Sequence, residues 1–214
     1  MKIALLCDTH CGIRNSSEVF LDNAEDFYTN IFFPECEKRG VKQILHLGDY
    51  YDHRKFVNFK ALNQNRRVFL DQLRKHNMIM DIIPGNHDTY YKNTNELNAL
   101  KECLGHYMNE VHIIMEPTVM QYGSLSMALL PWICADNYEP SMNFIRDCKA
   151  DWLGAHLELA NFEIGRGILA PHGMDAKIFK KFEQVLSGHY HTASRRDNIW
   201  YLGNPMEFFW SDAH

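Results

Sequence analysis

The chain has 214 residues, 46% of them apolar and 23% charged, with a formal net charge of −5. These figures fit one α/β domain with a sizeable core, too short for two, and exclude a disordered or fibrous chain. No apolar run approaches the roughly 20 residues of a membrane helix, and an acidic balance does not advertise a nucleic-acid partner.

The first strand is predicted over 2–7 and runs directly into Asp8-Thr9-His10. A start that is already a strand leading to candidate ligands is not a signal peptide. The six cysteines (Cys7, Cys11, Cys36, Cys103, Cys134, Cys148) show no CxxC spacing. They read as reduced thiols of a cytoplasmic protein. Cys7 and Cys11 flank the first motif but read as packing residues, because a hard-metal site prefers oxygen and imidazole. A helix over about 17–39 follows, with Phe20, Ala24, Phe27 and Ile31 on one face and Pro34 expected to kink it or start a second segment. Strand 43–47 ends at Gly48-Asp49-Tyr50-Tyr51-Asp52, and a helix over about 57–76 carries a stripe of Leu62, Phe69 and Leu73. Strand 79–83 ends at Gly85-Asn86-His87-Asp88. Asn93 followed by Glu96 reads as a capping box opening a helix over about 94–104, with Leu97, Leu100 and Leu104 on one face.

In the second half, strands are predicted near 111–115, 119–122 and 125–130, then a short helix after Pro140 and a strand over 152–157 that carries Ala155-His156-Leu157. A helix over about 174–182 precedes strand 184–187, the motif Gly188-His189-Tyr190-His191, and a last strand over 199–202. Strand–helix alternation in the first half implies parallel pairing, and the strand-rich second half implies antiparallel additions. The expected fold class is α/β: a two-sheet sandwich flanked by helices, with mixed parallel and antiparallel pairing.

Each of the five polar motifs follows an apolar run, and open α/β sheets place their sites in loops at the carboxyl ends of strands. No single motif carries the reading. Most histidines in globular proteins are satisfied core or surface residues, and His46, His53, His76, His106, His112, His172 and His214 are read that way, although His53 adjoins a motif. Two Asp, one Asn and several His brought to one edge suit Mn, Fe or Zn better than Ca. An Asp between two metals can bridge them, and two metals about 4 Å apart clamp both oxygens of an in-line phosphoryl displacement. No Ser or Cys nucleophile motif competes. Among basic pairs, Arg66-Arg67 and Lys180-Lys181 read as solvated faces. Arg14, Arg54, Lys55, Arg195 and Arg196 lie close to motifs, so they are candidate phosphate contacts in loops on the catalytic edge.

The pattern from Asp8 to His191 resembles the calcineurin-like metallophosphoesterase superfamily. Within it the details resemble the SbcD-type DNA repair and recombination nucleases, including their bacteriophage relatives. Gly12 follows Asp8-Thr9-His10, the third motif is Gly-Asn-His-Asp and not Gly-Asn-His-Glu, no Arg-Gly follows Asp52, and Trp200-Tyr201-Leu202-Gly203-Asn204-Pro205 is similar to that family's Tyr-x-Gly-Ser-Pro stretch. The resemblance implies one metal held by Asp8, His10, Asp49 and His191 and a second held by Asp49, Asn86, His156 and His189. It implies two divalent ions, Mn2+ first and Mg2+, Fe or Zn as alternatives. His87 matches the catalytic His. Asp52 matches a position that is often His in the nucleases, and whether Asp52 or His53 supports His87 is open.

The resemblance further implies DNA as substrate and an SbcC/Rad-type coiled-coil ATPase as partner. It implies a homodimer formed through the helices near 57–76 and 94–104, although their stripes could equally face their own sheet. Residues 1–214 would then form the nuclease domain alone, without the capping and ATPase-binding segments of that family, in the cytoplasm of the cell or, for a phage protein, of its host. The alternative on the same motifs is a small-molecule phosphodiesterase or phosphatase, for example on cyclic nucleotides.

Overall fold

Alternating apolar side chains pull the two faces of each strand into different layers, and that alternation organises the whole chain. The computed structural model describes residues 1–165, 167–210 and 212; His214 lies outside the described residues. The first sheet contains β1 (Ile3–Leu6), β2 (Gln43–His46), β3 (Ile79–Ile82) and β4 (Val111–Ile113), all parallel and in that spatial order. Ile44, Met80 and Ile82 face the helices, whereas Leu45, Leu47 and Ile83 face the second sheet. A period of two is what a strand buried on both faces requires.

The second sheet runs in the order β11 (Ser194–Arg196), β12 (Ile199–Tyr201), β10 (Gln184–Gly188), β7 (Trp152–His156), β6 (Leu125–Leu130) and β5 (Thr118–Tyr122). Its four inner strands are mutually parallel, and β5 and β11 add antiparallel at the two edges. Met127, Leu129 and Leu186 meet the first sheet, while Ala128, Leu130, Leu153 and Val185 pack outward. The molecule is the mixed α/β two-sheet sandwich with flanking helices that the pattern implies. A small hairpin of β8 (Glu163–Gly165) and β9 (Ile168–Leu169), unread in the sequence because both pieces are so short, stands apart.

The first helix, α1 (18–39), is continuous. It is α-helical over Glu18–Asp26, π-helical over Phe27–Phe32 and α-helical again over Phe33–Arg39. The Phe33 N–H reaches Tyr28 O, five residues back, so the ladder shifts register just ahead of Pro34. That shift accommodates a residue with no N–H, and it replaces the expected kink. The second helix, α2 (59–75), has the same construction, with a π-helical Arg66–Leu70 in its middle.

Three expectations need correction. The helix expected at 94–104 begins only at Ala99 (α3, Ala99–Leu104), and its cap is Asn98, whose Oδ1 accepts the Lys101 N–H. Residues 93–98 form a loop held by tertiary bonds, Asn95 Nδ2 to Trp132 O at 2.7 Å and Ala99 N to Asp88 O at 2.8 Å. Those bonds outcompete the local capping box. The helix expected after Pro140 (α4, Tyr138–Asp147) starts before it, with Pro140 in the first turn, where its missing N–H costs nothing. The helix expected at 174–182 is a single 3₁₀ turn, Ala176–Phe179, which still buries Phe179 beneath the second sheet.

Leu100, Leu104, Phe69 and Leu73 are all fully or almost fully buried in the first core, so these members of the two stripes face their own sheet, while Leu62 is only partly buried against it. Leu97 lies outside α3 and is 40% exposed.

The chain is tightly packed where β2 and β3 end. A Cβ built on Gly85 would overlap the Asp49 carboxylate and its amide nitrogen, and one on Gly48, at φ +91, would lie 2.6 Å from His156 Nδ1. Overpacking of this kind costs about 1–3 kcal/mol. Gly85→Ala is therefore expected to lower the melting temperature by roughly 2–4 °C per kcal/mol lost, measured by thermal denaturation; an unchanged melting temperature would show that the loop yields freely.

Candidate metal centre

The five motifs occupy the loops after β1, β2, β3, β7 and β10, at one edge of the sandwich. Main-chain bonds lace the first two loops together, with Asp8 N donating to Gly48 O at 3.0 Å and His10 N to Asp49 O at 3.1 Å. Asp8, His10, Asp49 and His189 all have positive φ, at 50, 43, 55 and 90°. Left-handed backbone at non-glycine residues costs of order 1–3 kcal/mol each and persists only where the surroundings impose it. Here it turns four polar side chains inward from loops that would otherwise carry them to solvent.

Among the described residues, three clusters of ligand-capable atoms result, two built from the expected ligands and a third from His10, Asp52 and His87. Ligand-capable atoms of Asp8, His10 and His191 lie within 4.8 Å of one another, as do those of Asp49, His156 and His189. In the first group, His10 Nε2 and His191 Nε2 are 3.1 Å apart, and the Asp8 carboxylate accepts the His189 N–H at 3.0 and 3.1 Å. In the second, Asn86 Oδ1 is 3.0 Å from His156 Nε2 and 2.8 Å from His189 Nδ1. Asp49 Oδ2 stands between the groups, 3.4 Å from His156 Nε2 and 3.8 Å from His10 Nε2. All seven residues expected as ligands converge.

The donor chemistry fits divalent cations. His156 Nδ1 lies 2.7 Å from Leu47 O, and a carbonyl only accepts, so this nitrogen carries the proton. A neutral His156 then directs the Nε2 lone pair at Asp49 Oδ2, itself an acceptor. A shared cation or an added proton resolves that conflict. Burial opposes a proton on His156, yet the Asp49 carboxylate outweighs burial and lifts its pKa to about 9. Burial would likewise raise Asp49, but His156, His10 and His87 hold it well below the usual carboxylate range. Burial, reinforced by His156, depresses His189 to about 3. Ionised Asp49 beside His189, an imidazole that resists charging, has the protonation state metal ligands need, whereas His156 must release its proton for a cation to take that place.

His87 is half-buried beside the two groups. Its N–H donates to Asp49 Oδ1 at 2.7 Å, and its Nδ1 lies 2.6 Å from the main-chain carbonyl of Asp52. That carbonyl makes Nδ1 the donor and leaves Nε2 as the basic nitrogen of the neutral ring. The Asp52 carboxylate lies 3.3 Å from His10 Nδ1. His53 is exposed and stacks on Phe56 at 4.1 Å, so the residue in contact with His87 is Asp52, through its backbone.

Three contributors had weak sequence signals. Asp88, visible only as the last residue of its motif, is buried and accepts N–H bonds from Gly85 and Tyr51, both at 2.9 Å, so it pins the second and third loops together. Burial and nearby Asp49 push its pKa up to about 7 despite those donors. His46, read as an ordinary core residue, is buried with its ring 3.0 Å from Thr9 Oγ1. Trp132 comes from the loop after β6 and sets its ring 5.3 Å from His189 and 5.9 Å from His156. A lone Trp after a strand gives no warning of that role.

The basic residues divide. Lys55 is exposed, with Nζ 5.8 Å above the Tyr90 ring. Arg14 is exposed as well, donates from Nε to Phe208 O at 3.2 Å and lies over Phe209 at 4.4 Å. Arg54 is a brace, because Nη1 donates to Thr89 O at 3.3 Å and Thr89 Oγ1 at 3.2 Å. Arg195 and Arg196 are not in a loop but on β11, which pairs antiparallel with β12 and runs away from the ligand-bearing edge. Arg196 Nη1 is bound to Asn161 O at 2.8 Å, and Arg195 lies over Trp200 at 5.5 Å. The hairpin turn at Asp197-Asn198 creates this strand, and the polar sequence around it gave no strand signal.

Comparison with known proteins identifies the family. The family profile described as calcineurin-like phosphoesterase matches residues 1–193. Exonuclease subunit 1 of Enterobacteria phage T4 is 30% identical over 205 residues, which cover 96% of this chain and 59% of that protein. The chain thus spans about three-fifths of the length of this curated relative. Among solved structures, a hypothetical protein from Thermus thermophilus aligns with a TM-score of 0.47 and 16% identity, over 95% of this chain and 75% of that one. The nuclease MPE of Pseudomonas putida aligns with a TM-score of 0.39 and 17% identity, over 92% and 66% of the two chains. With most of its length and all five ligand-bearing loops inside the matched span, the chain belongs to the calcineurin-like phosphoesterase family.

Proposed function

We propose that this chain is a metal-dependent DNA nuclease that hydrolyses phosphodiesters. The observation that carries the reading is the convergence of two donor groups that share Asp49; the similarity to an exonuclease subunit supports nucleic acid as the substrate. Asp8, His10, Asp49 and His191 would hold one ion, and Asp49, Asn86, His156 and His189 the other. The donor set suits Mn2+ first, with Mg2+, Fe or Zn as alternatives. Bound there, two such ions supply Lewis acidity and a water acidified to a nucleophile.

The chain's own groups do the rest. His87, with its Nδ1–H fixed by the Asp52 carbonyl, offers Nε2 as the atom that would take up a proton and pass it to the leaving oxygen. Asp49 orients His87 through its amide, and Asp88 keeps the two loops in register. Lys55 and Arg14 reach the phosphates of a bound strand, while Arg54 braces the loop beneath it. Arg195 and Arg196, on β11, contribute at most to the outer flank of that path. The reading includes an SbcC-type ATPase partner and DNA end processing, recombination or repair, in a host cytoplasm if the protein is phage-encoded. No helix among the described residues is long and apolar enough to cross a membrane. For a homodimer, the apolar side chains left over beside α2 and α3 are Phe56, Phe59 and Leu97, at 57%, 86% and 40% exposure.

Digestion of duplex DNA, single-stranded DNA and a cyclic nucleotide in parallel, with Mn2+ present, tests the substrate class. Cleavage of DNA is expected; brisk hydrolysis of the cyclic nucleotide with intact DNA would favour the small-molecule phosphodiesterase. Asp49→Asn removes the charge common to both donor groups and is expected to empty one or both metal positions. Two Mn per chain retained in that variant, by elemental analysis, would refute the bridging role.

His87→Ala should keep both metals and bind substrate but lose about 10²–10⁴ in rate, the usual contribution of general acid–base assistance. Activity within a few-fold of the parent would remove His87 from the chemistry.

The basic residues separate by substrate length. Lys55→Ala combined with Arg14→Ala should weaken activity on DNA, more so as salt rises, with little effect on a small chromogenic phosphodiester. Arg54→Ala should lower both activities, because it loosens the loop at Thr89; equal effects of all three replacements on the two substrates would show that none contacts a long substrate.

A further inference from the structure

An imidazole ligand works through one nitrogen and must be held by the other. For His156 the holder is a main-chain carbonyl, as described above. For His10 and His191 the structure offers carboxylates. His10 Nδ1 is buried without an aligned hydrogen-bond acceptor among the described residues, and Asp52 Oδ1 lies 3.3 Å from it. His191 Nδ1 lies 3.8 Å from Asp212 Oδ2. The opposite nitrogens of these two rings, both Nε2, face each other at 3.1 Å.

Asp212 is not a stray residue of the tail. Its Oδ2 also accepts from Asn204 Nδ2 at 2.9 Å, Phe208 N at 3.0 Å and Phe209 N at 3.1 Å, and the residue is 4% exposed. The turn it organises sets Phe208 edge-on to His10 at 5.7 Å and stacks Phe209 on His191 at 6.0 Å. Asn204 N in turn donates to His191 O at 3.1 Å. The stretch after β12 therefore folds back over the first donor group. Asp52 closes the same group from the end of β2.

An ionised carboxylate accepts and does not donate. The carboxylates lie 3.3 Å from His10 Nδ1 and 3.8 Å from His191 Nδ1, so their charge, more than an aligned bond, favours the ring proton there in the neutral rings, and two Nε2 lone pairs then face each other across 3.1 Å. Such an arrangement is repulsive unless a cation or an added proton lies between the lone pairs. We infer that Asp52 and Asp212 are positioning residues that hold His10 and His191 as Nδ1–H tautomers and so aim both Nε2 atoms at one metal position. The inference rests on the two-metal reading above and assigns the Asp52 side chain to His10, while its main-chain carbonyl serves His87. Carboxylate–histidine–metal relays of this type typically change metal affinity by about 10–100-fold when the outer partner is lost.

The test reads tautomers directly. Long-range nitrogen-15 NMR of the protein loaded with diamagnetic Zn2+, in mildly alkaline buffer, should show Nδ1–H for both His10 and His191. Mn2+ titration of Asp52→Ala and of Asp212→Ala should show one of the two sites weakened by about 10–100-fold with the other retained. Asp52→Asn and Asp212→Asn, whose amide oxygen still accepts, should recover part of that loss. An Nε2–H tautomer on either ring of the parent protein, or parental Mn2+ affinity at both sites in both Ala variants, would overturn the inference. A parent protein that binds fewer than two Mn2+ would overturn the two-metal reading itself, which separates the two failures.

Discussion

The arrangement of this molecule depends on one buried carboxylate. Asp49 sits between the two donor groups with almost no solvent contact, and an isolated charge there would be prohibitively costly. Everything around it offsets that cost. Its Oδ1 takes the His87 amide, and its Oδ2 faces two imidazoles. The loop that carries it is pinned by bonds to the first and third loops. Gly85 has no side chain because Asp49 occupies the space, and Gly48 takes a left-handed turn for which a Cβ would meet His156. The positive φ values at Asp8, His10 and His189 are part of the same constraint, because side chains from two other loops must reach one small volume.

The sandwich makes this convergence possible. Each sheet alone would present its loops along one line, with donors from neighbouring strands side by side. Two parallel sheets packed face to face bring a second line of loops over the first. Asp8, Asp49 and Asn86 come from the first sheet, while His156, His189 and His191 come from the second, so each donor group spans the interface. The core between the sheets is mostly apolar, built from residues such as Leu45, Leu47, Leu129 and Leu186, with the Tyr122 hydroxyl donating to buried Asp81. It sets the separation of the two lines of loops, and a change in its thickness would be transmitted to the distances around Asp49.

Much of this was legible in the sequence, and for a physical reason. A strand buried on both faces must be apolar throughout and must stop where the chain turns polar, so the five strand–motif junctions were visible from composition alone. What escaped depended on contacts between distant segments. Asn93 and Glu96 form a sound capping box on paper, but Asn95 and Asn98 are claimed by Trp132 and by their own loop, and the helix starts later. Phe179 and Phe182 have helical spacing yet need only a 3₁₀ turn to become buried. Arg54, Arg195 and Arg196 look like phosphate contacts by proximity in sequence, but a guanidinium with five donors is easily recruited by nearby carbonyls, and two of the three were. Trp132 and Asp212 had no local pattern at all, because their importance lies in what they face.

The acidic net charge of −5 looks at first like an obstacle to a polyanionic substrate. The centre resolves it locally. Its seven candidate donors include only two carboxylates, Asp8 and Asp49, and the Asp52 and Asp212 carboxylates stand behind His10 and His191. Two divalent cations held there would offset the negative charge these groups bring to the edge. Asp88 moderates this further, since a carboxyl whose pKa is pushed up to about 7 adds less negative charge than an ordinary one. Field lines from an edge of this kind, bounded by apolar strands beneath, extend outward toward the solvent where a phosphodiester would arrive. Affinity for a long strand then requires only a few exposed cations such as Lys55 and Arg14 near that edge, not a basic protein.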